Sequence, residues 1–129
     1  GLVPSLGIEF DTYQNTHLLD PAVDHLAAMR HGRSFHGDGV PPVGLGNLED
    51  GERHKLRIVW SPGANTLDIH LDGELKASYP GTVVRQTFEG TPMVYWGMTA
   101  GTGRLSNTQD VCIEKLLLGA LPEPHPGRG

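Results

Sequence analysis

Hydrophobic and polar positions alternate with a period of two in several short stretches, the spacing of strands that bury one face. In residues 7–13, Ile8, Phe10 and Thr12 share one face while Glu9, Asp11 and Tyr13 share the other. In residues 53–61, Leu56, Ile58 and Trp60 alternate with Lys55, Arg57 and Val59, and Pro62-Gly63-Ala64-Asn65 then supplies a turn. Leu67, Ile69 and Leu71 follow on one face, with Asp68, His70 and Asp72 on the other. Asp72-Gly73 predicts a two-residue hairpin, and its return strand turns Leu75, Ala77 and Tyr79 inward. Three antiparallel strands with one dry face need a second layer to cover it. Residues 93–99 and 110–118 predict two further buried strands, which would pack Trp96 and hold Cys112 as a small core residue beside Val111 and Ile113. Trp60 is expected in the same core.

The remaining stretches are irregular. Residues 14–25 and 31–51 read as loops, 82–90 as a short helical turn, and residues 26–30 as a strand. Asp20-Pro21-Ala22-Val23-Asp24 also resembles a helix start, with Gly32 as its stop. On such a helix Asp20 and His25 would stand about 140° apart around the axis and could not converge.

Composition narrows the class. The 129 residues include 18 glycines and 10 prolines, which favours turns and short strands over long helices. A net charge of −5 argues against a nucleic-acid surface driven by basic charge. No apolar run approaches the roughly 18–20 residues that cross a bilayer, so membrane insertion is not expected. The one cysteine excludes an internal disulfide. Residues 120–129 are rich in Pro and Gly and read as a tail.

Glu9, Asp11, Asn15, Asp20 and His25 concentrate oxygen and nitrogen donors in one short stretch. Carboxylates this close repel one another, and a bound cation offsets the repulsion. Calcium takes six to eight oxygens, whereas a transition ion accepts carboxylates with an imidazole. The competing reading is a set of solvated surface acids with an incidental histidine. The other histidines (His17, His31, His36, His54, His70 and His125) show no paired metal spacing and are expected to face solvent.

The run GIEFDTYQN, then Asp20-Pro21, then His25, resembles the metal-binding segment of the L-type (legume-type, concanavalin-like) lectins, with a bacterial flavour. The segments LGNLEDGERHKLRIVW, TLDIHLDGELKASY and MVYWGMTAGTGRLSNTQDV resemble later parts of that domain in the same order. The resemblance implies an all-β fold, a concanavalin-like jelly-roll β-sandwich of antiparallel sheets. It spans residues 1–119 as a partial domain, with a metal loop at 9–25, back-sheet hairpins at 53–79 and a second binding loop at 100–108. It implies calcium on Asp11, Asn15, Asp20 and the Tyr13 carbonyl. A neighbouring manganese or other transition-metal ion would sit on Glu9, Asp11, Asp20 and His25. Sugar contacts would come from Asn15, Tyr13, Gly103, Arg104 and Leu105. The function implied is calcium-dependent, non-catalytic binding of a glycan or polysaccharide by a secreted or cell-surface protein. The family's first half has no counterpart here, so the sandwich is expected to be completed by a missing N-terminal segment or a second chain.

Two rivals share these features. A structural or adhesion module would use the same ligands to staple a loop. Laminarinase-type glucanases carry a Glu-x-Asp-x-(x)-Glu strand, which Glu9 and Asp11 match in part. Their retaining mechanism needs two carboxyl groups about 5 Å apart, and Tyr13 or Gln14 occupies the position of the second. Neither side chain shuttles a proton as a carboxyl does.

Overall fold

The computed structural model describes residues 2–37, 40–91 and 93–117. The protein divides into two units, residues 1–94 and 95–129. The first unit is built mainly of strands, in two antiparallel sheets of three strands each. One sheet has the order β1 (Leu6–Asp11), β2 (His25–Arg30) and β3 (Val43–Gly44). The other has the order β4 (Leu56–Ser61), β5 (Thr66–Leu71) and β6 (Glu74–Pro80), followed by the helix α1 (Gly81–Phe88).

Register places the side chains. In the β1–β2 ladder Ile8 pairs with Ala28 and Phe10 with Leu26, so these four share the core face. Glu9 pairs with Ala27 and Asp11 with His25 on the opposite face. Leu26 joins Leu67, Ile69 and Leu71 of β5 and Ala77 and Tyr79 of β6 in one buried cluster, with Ile8, Phe10 and Val84 packed against it. The two sheets thus bury their apolar faces against each other, the arrangement of a β-sandwich.

The β5–β6 hairpin turns at Asp72 and Gly73, with φ of 51° and 84°. Positive φ at both central residues is the geometry that Asp-Gly favours in a two-residue hairpin. A shift in register at Ile69/His70 then sets His70 opposite Leu75. Leu75, expected to point inward, is therefore 56% exposed. This β-bulge reverses the side-chain alternation within β6. Asp20–Gly32 is a loop and a strand rather than a helix, because the ladder to β1 satisfies the backbone of residues 25–30. That strand ends where His31 and Gly32 both take positive φ.

Three core expectations are corrected. Leu56, Ile58 and Trp60 lie across from Leu71, Ile69 and Leu67 on the apolar face of β4, yet each remains at least 40% exposed. The first sheet covers β5 and leaves this edge strand open. The segments 93–99 and 110–117 form no strand among the described residues. Alternation gives no strand without a partner for its backbone groups. Trp96 is accordingly about half exposed, and Cys112 is exposed rather than packed. The end of the second predicted strand and the Pro/Gly-rich tail at 120–129 lie outside the described residues.

Among the described residues no helix is long and apolar enough to cross a membrane.

Candidate metal centre

The candidate site lies on the polar face of β1 and β2. Side-chain alternation sends Glu9 and Asp11 to this face, and antiparallel pairing brings His25 directly opposite Asp11. The loop between the strands then folds back. A short 3-10 turn at Thr16–Leu18 ends at Leu19, whose φ of 66° reverses the chain. Asp11 Oδ1 accepts the Tyr13 N–H at 2.8 Å, and Asp20 Oδ2 accepts the Asn15 N–H at 2.6 Å. Gln14 Nε2 donates to the Asp20 carbonyl at 3.3 Å. One oxygen of each aspartate therefore shapes the loop.

The next loop contributes a residue that sequence spacing missed. The His36 N–H donates to the Leu18 carbonyl at 3.0 Å, tying residues 33–37 to the 3-10 turn. This swings the His36 ring over the site, edge-on to the His25 ring, with centroids 5.4 Å apart and planes at 86°. The His36 side chain is only 3% exposed, which corrects the expectation that it faces solvent. Its signal in the sequence is weak, because residues 31–51 have no periodicity to assign it a face.

Two groups of ligand atoms result. Glu9, His25 and His36 form one, and Asp11, Asp20 and His25 the other; within each group the atoms lie within 4.8 Å of one another. His25 belongs to both. His25 Nε2 is 3.8 Å from Asp20 Oδ1, and His36 Nε2 is 3.1 Å from the same oxygen and 4.0 Å from Glu9 Oε2. The side chains of His25 and Asp20 are 0% and 1% exposed.

Hydrogen bonding leaves this cluster unsatisfied. Glu9 Oε2, Asp20 Oδ1 and both ring nitrogens of His25 are buried without a hydrogen-bond partner. The close approach of His36 to Asp20 lacks the alignment a hydrogen bond requires, so it does not relieve the Asp20 oxygen. A buried polar atom left unpaired costs about 1–3 kcal/mol, more if charged. Burial raises the Glu9 carboxyl above its usual range, the Asp11 charge raises it further, and His36 and His25 oppose the shift. Convergent lone pairs without donors are what a cation satisfies, and these acidic and imidazole groups could hold a metal ion.

The other predicted site residues divide. Tyr13 is 60% exposed at the rim of the loop. Asn15 is half-buried beside it, and its side chain makes no capping bond to the 3-10 turn. Gly103, Arg104 and Leu105 belong to the second unit, where they are exposed. A shallow apolar groove of about 530 Å³ between Val40, Val43 and β6 contains none of the clustered carboxylates or histidines. No protein-family model matches the chain.

Proposed function

We propose that this protein is a divalent-metal-dependent carbohydrate-binding module, non-catalytic, of the concanavalin-like jelly-roll class and secreted or displayed at a cell surface. The observation that carries the metal part is the pair of ligand groups that share His25, in which Glu9 Oε2, Asp20 Oδ1 and the His25 ring nitrogens are buried without a partner beside the loop that carries Tyr13 and Asn15. The carbohydrate part rests on the resemblance of this segment to the L-type lectins.

In this reading the metal acts as a mechanical clamp. Calcium draws on Asp11, Asp20, Asn15 and the Tyr13 carbonyl. A second ion draws on Glu9, Asp11, Asp20 and His25. The burial of Asp20 and His25 supports an ion held inside the loop, away from the solvent-facing rim. Ordering the loop beforehand lowers the entropy lost on binding a sugar. The exposed Tyr13 ring suits the C–H face of a pyranose, and the Asn15 amide suits its hydroxyls. A second chain would complete the sandwich.

Glycan-array binding of the full chain, with and without chelator, tests the proposal. The expected result is binding that chelation abolishes and calcium restores. Binding indifferent to chelation, or none in metal-loaded protein, rejects it. If calcium stabilises the chain but no glycan is retained, the metal serves only to staple the loop. Sustained release of reducing ends from β-glucans would instead favour the hydrolase reading.

A further inference from the structure

The second imidazole changes which ion the inner site prefers. Of the acidic and imidazole side chains gathered at the site, His36 is the one contributed from beyond β2. An ordinary buried His–Asp pair would explain it if the two were hydrogen bonded. They are not: the 3.1 Å contact is misaligned and Asp20 Oδ1 has no partner. Such a pair would also leave both nitrogens of the fully buried His25 unexplained.

A shared ion accounts for Asp20 Oδ1, Glu9 Oε2 and one ring nitrogen of His25 together. A zinc-like ion bonds nitrogen and oxygen at about 2.0–2.2 Å, so tetrahedral ligand atoms lie about 3.3–3.6 Å from one another. Asp20 Oδ1 is 3.1 Å from His36 Nε2 and 3.8 Å from His25 Nε2, and Glu9 Oε2 is 4.0 Å from His36 Nε2. These three separations bracket the tetrahedral value; Glu9, His25 and His36 offer atoms within 4.8 Å of one another, and Asp20 shares His25 with them from the adjoining group. We infer that His36 is a direct metal ligand, joining Glu9, Asp20 and His25 in a set of two imidazoles and two carboxylates that selects a late first-row divalent ion such as zinc over calcium.

The chemistry supports that preference. Calcium requires six to eight oxygens and gains little from imidazole. Zinc and its late first-row neighbours bind imidazole strongly and accept four ligands. Two histidines in one small buried set therefore move the site away from calcium, whose oxygen ligands Asp11, Asn15 and the Tyr13 carbonyl lie in β1 and the loop after it. This inference rests on the reading that the cluster holds metal.

The test uses the full chain stripped by chelation and titrated with cobalt(II) or zinc alone, in the wild type and in His36→Asn. The expected result is a loss of about tenfold or more in cobalt and zinc affinity in the variant, with calcium affinity unchanged. X-ray absorption on the zinc-loaded wild type should count two imidazoles, and this measurement stands even if the variant fails to fold. One imidazole, or equal zinc affinity in a folded His36→Asn, overturns the assignment while leaving the metal-dependent module intact. A wild type that takes up no divalent ion overturns both.

Discussion

Asp11 and His25 are cross-strand partners in the β1–β2 ladder, so the pairing that builds the sheet also begins the candidate metal site. The rest is folded onto this pair: Asp20 returns by the loop between the strands, and His36 by the loop after β2. The candidate site and the sheet therefore share residues, and an ion bound there would hold the loops to the strands.

Ion binding should accordingly raise the stability of the whole first unit. With free metal at about 100 times its dissociation constant, linkage predicts about 2.7 kcal/mol of added stability. Thermal unfolding of chelator-stripped protein should shift upward on adding divalent ion. In Asp20→Asn the shift should shrink, because the oxygen shared by both histidines loses its charge. An equal shift in the wild type and Asp20→Asn would place the ion elsewhere.

Asn15 separates presentation from metal binding. Its backbone N–H braces Asp20 at 2.6 Å, while its side chain makes no capping bond. Asn15→Ala keeps the brace and removes the amide. Glycan retention should be lost, and heats of binding for a late first-row ion should persist. Calcium, which the proposal also assigns to this side chain, should weaken by an amount smaller than the loss of sugar. Tyr13→Ala should lower glycan binding with both ions unaffected, since the metal role is assigned to its carbonyl.

Much of this arrangement is written locally. The alternation of Glu9 and Asp11 with Ile8 and Phe10 predicts both faces of β1, and Asp72-Gly73 predicts the hairpin whose two residues take positive φ. Three features are not local. The bulge that exposes Leu75 depends on pairing with β5. The burial of His36 depends on a bond from its loop to Leu18, and a loop without periodicity carries no record of which side chain will turn inward. The apolar alternation at 93–99 and 110–117 satisfies a strand pattern, but a strand also needs a neighbour to pair with, and none is present among the described residues.

A third histidine, His54, provides a pH-dependent brace away from the candidate metal cluster. His54 Nδ1 lies 2.7 Å from Asp72 Oδ2 and Nε2 3.2 Å from Asp50 Oδ1, while the Lys55 N–H donates to Asp72 Oδ1 at 2.8 Å. The hydrogen bond to Asp72, then that to Asp50, raises the His54 pKa above 6.5. The same His54 contact, followed by the Lys55 N–H, lowers Asp72 below 3.8. Asp50 is lowered chiefly by the Glu52 N–H, then by His54. His54 therefore contributes fully below pH 6.5, and its contribution fades as pH rises through its raised value. The aspartates contribute above pH 3.8 and fade as pH falls through their lowered values. The brace is strongest between those limits. Denaturant midpoints for the wild type and His54→Gln should differ more at about pH 5 than at about pH 8. A gap that widens toward alkaline pH would contradict the assignment.

Ile58 and Ile69 are cross-strand partners on one face of the second sheet, yet Ile69 is fully buried and Ile58 is 48% exposed. Ile69→Ala removes a side chain enclosed by both sheets and should cost about 2–5 kcal/mol in chemical denaturation. Ile58→Ala creates no closed cavity and should cost about 1 kcal/mol or less. The difference also bears on self-association. Leu56, Ile58 and Trp60 form an apolar stripe on β4, an edge strand of its sheet. Edge strands with exposed apolar faces invite pairing with other chains. Light scattering of the full chain should rise with concentration, and Ile58→Lys should suppress the rise while leaving the unfolding midpoint nearly unchanged, because the charge enters solvent rather than the core. Equal scattering from wild type and Ile58→Lys would show that the stripe does not drive association, and a large fall in midpoint would show that Ile58 is more tightly covered than its exposure implies.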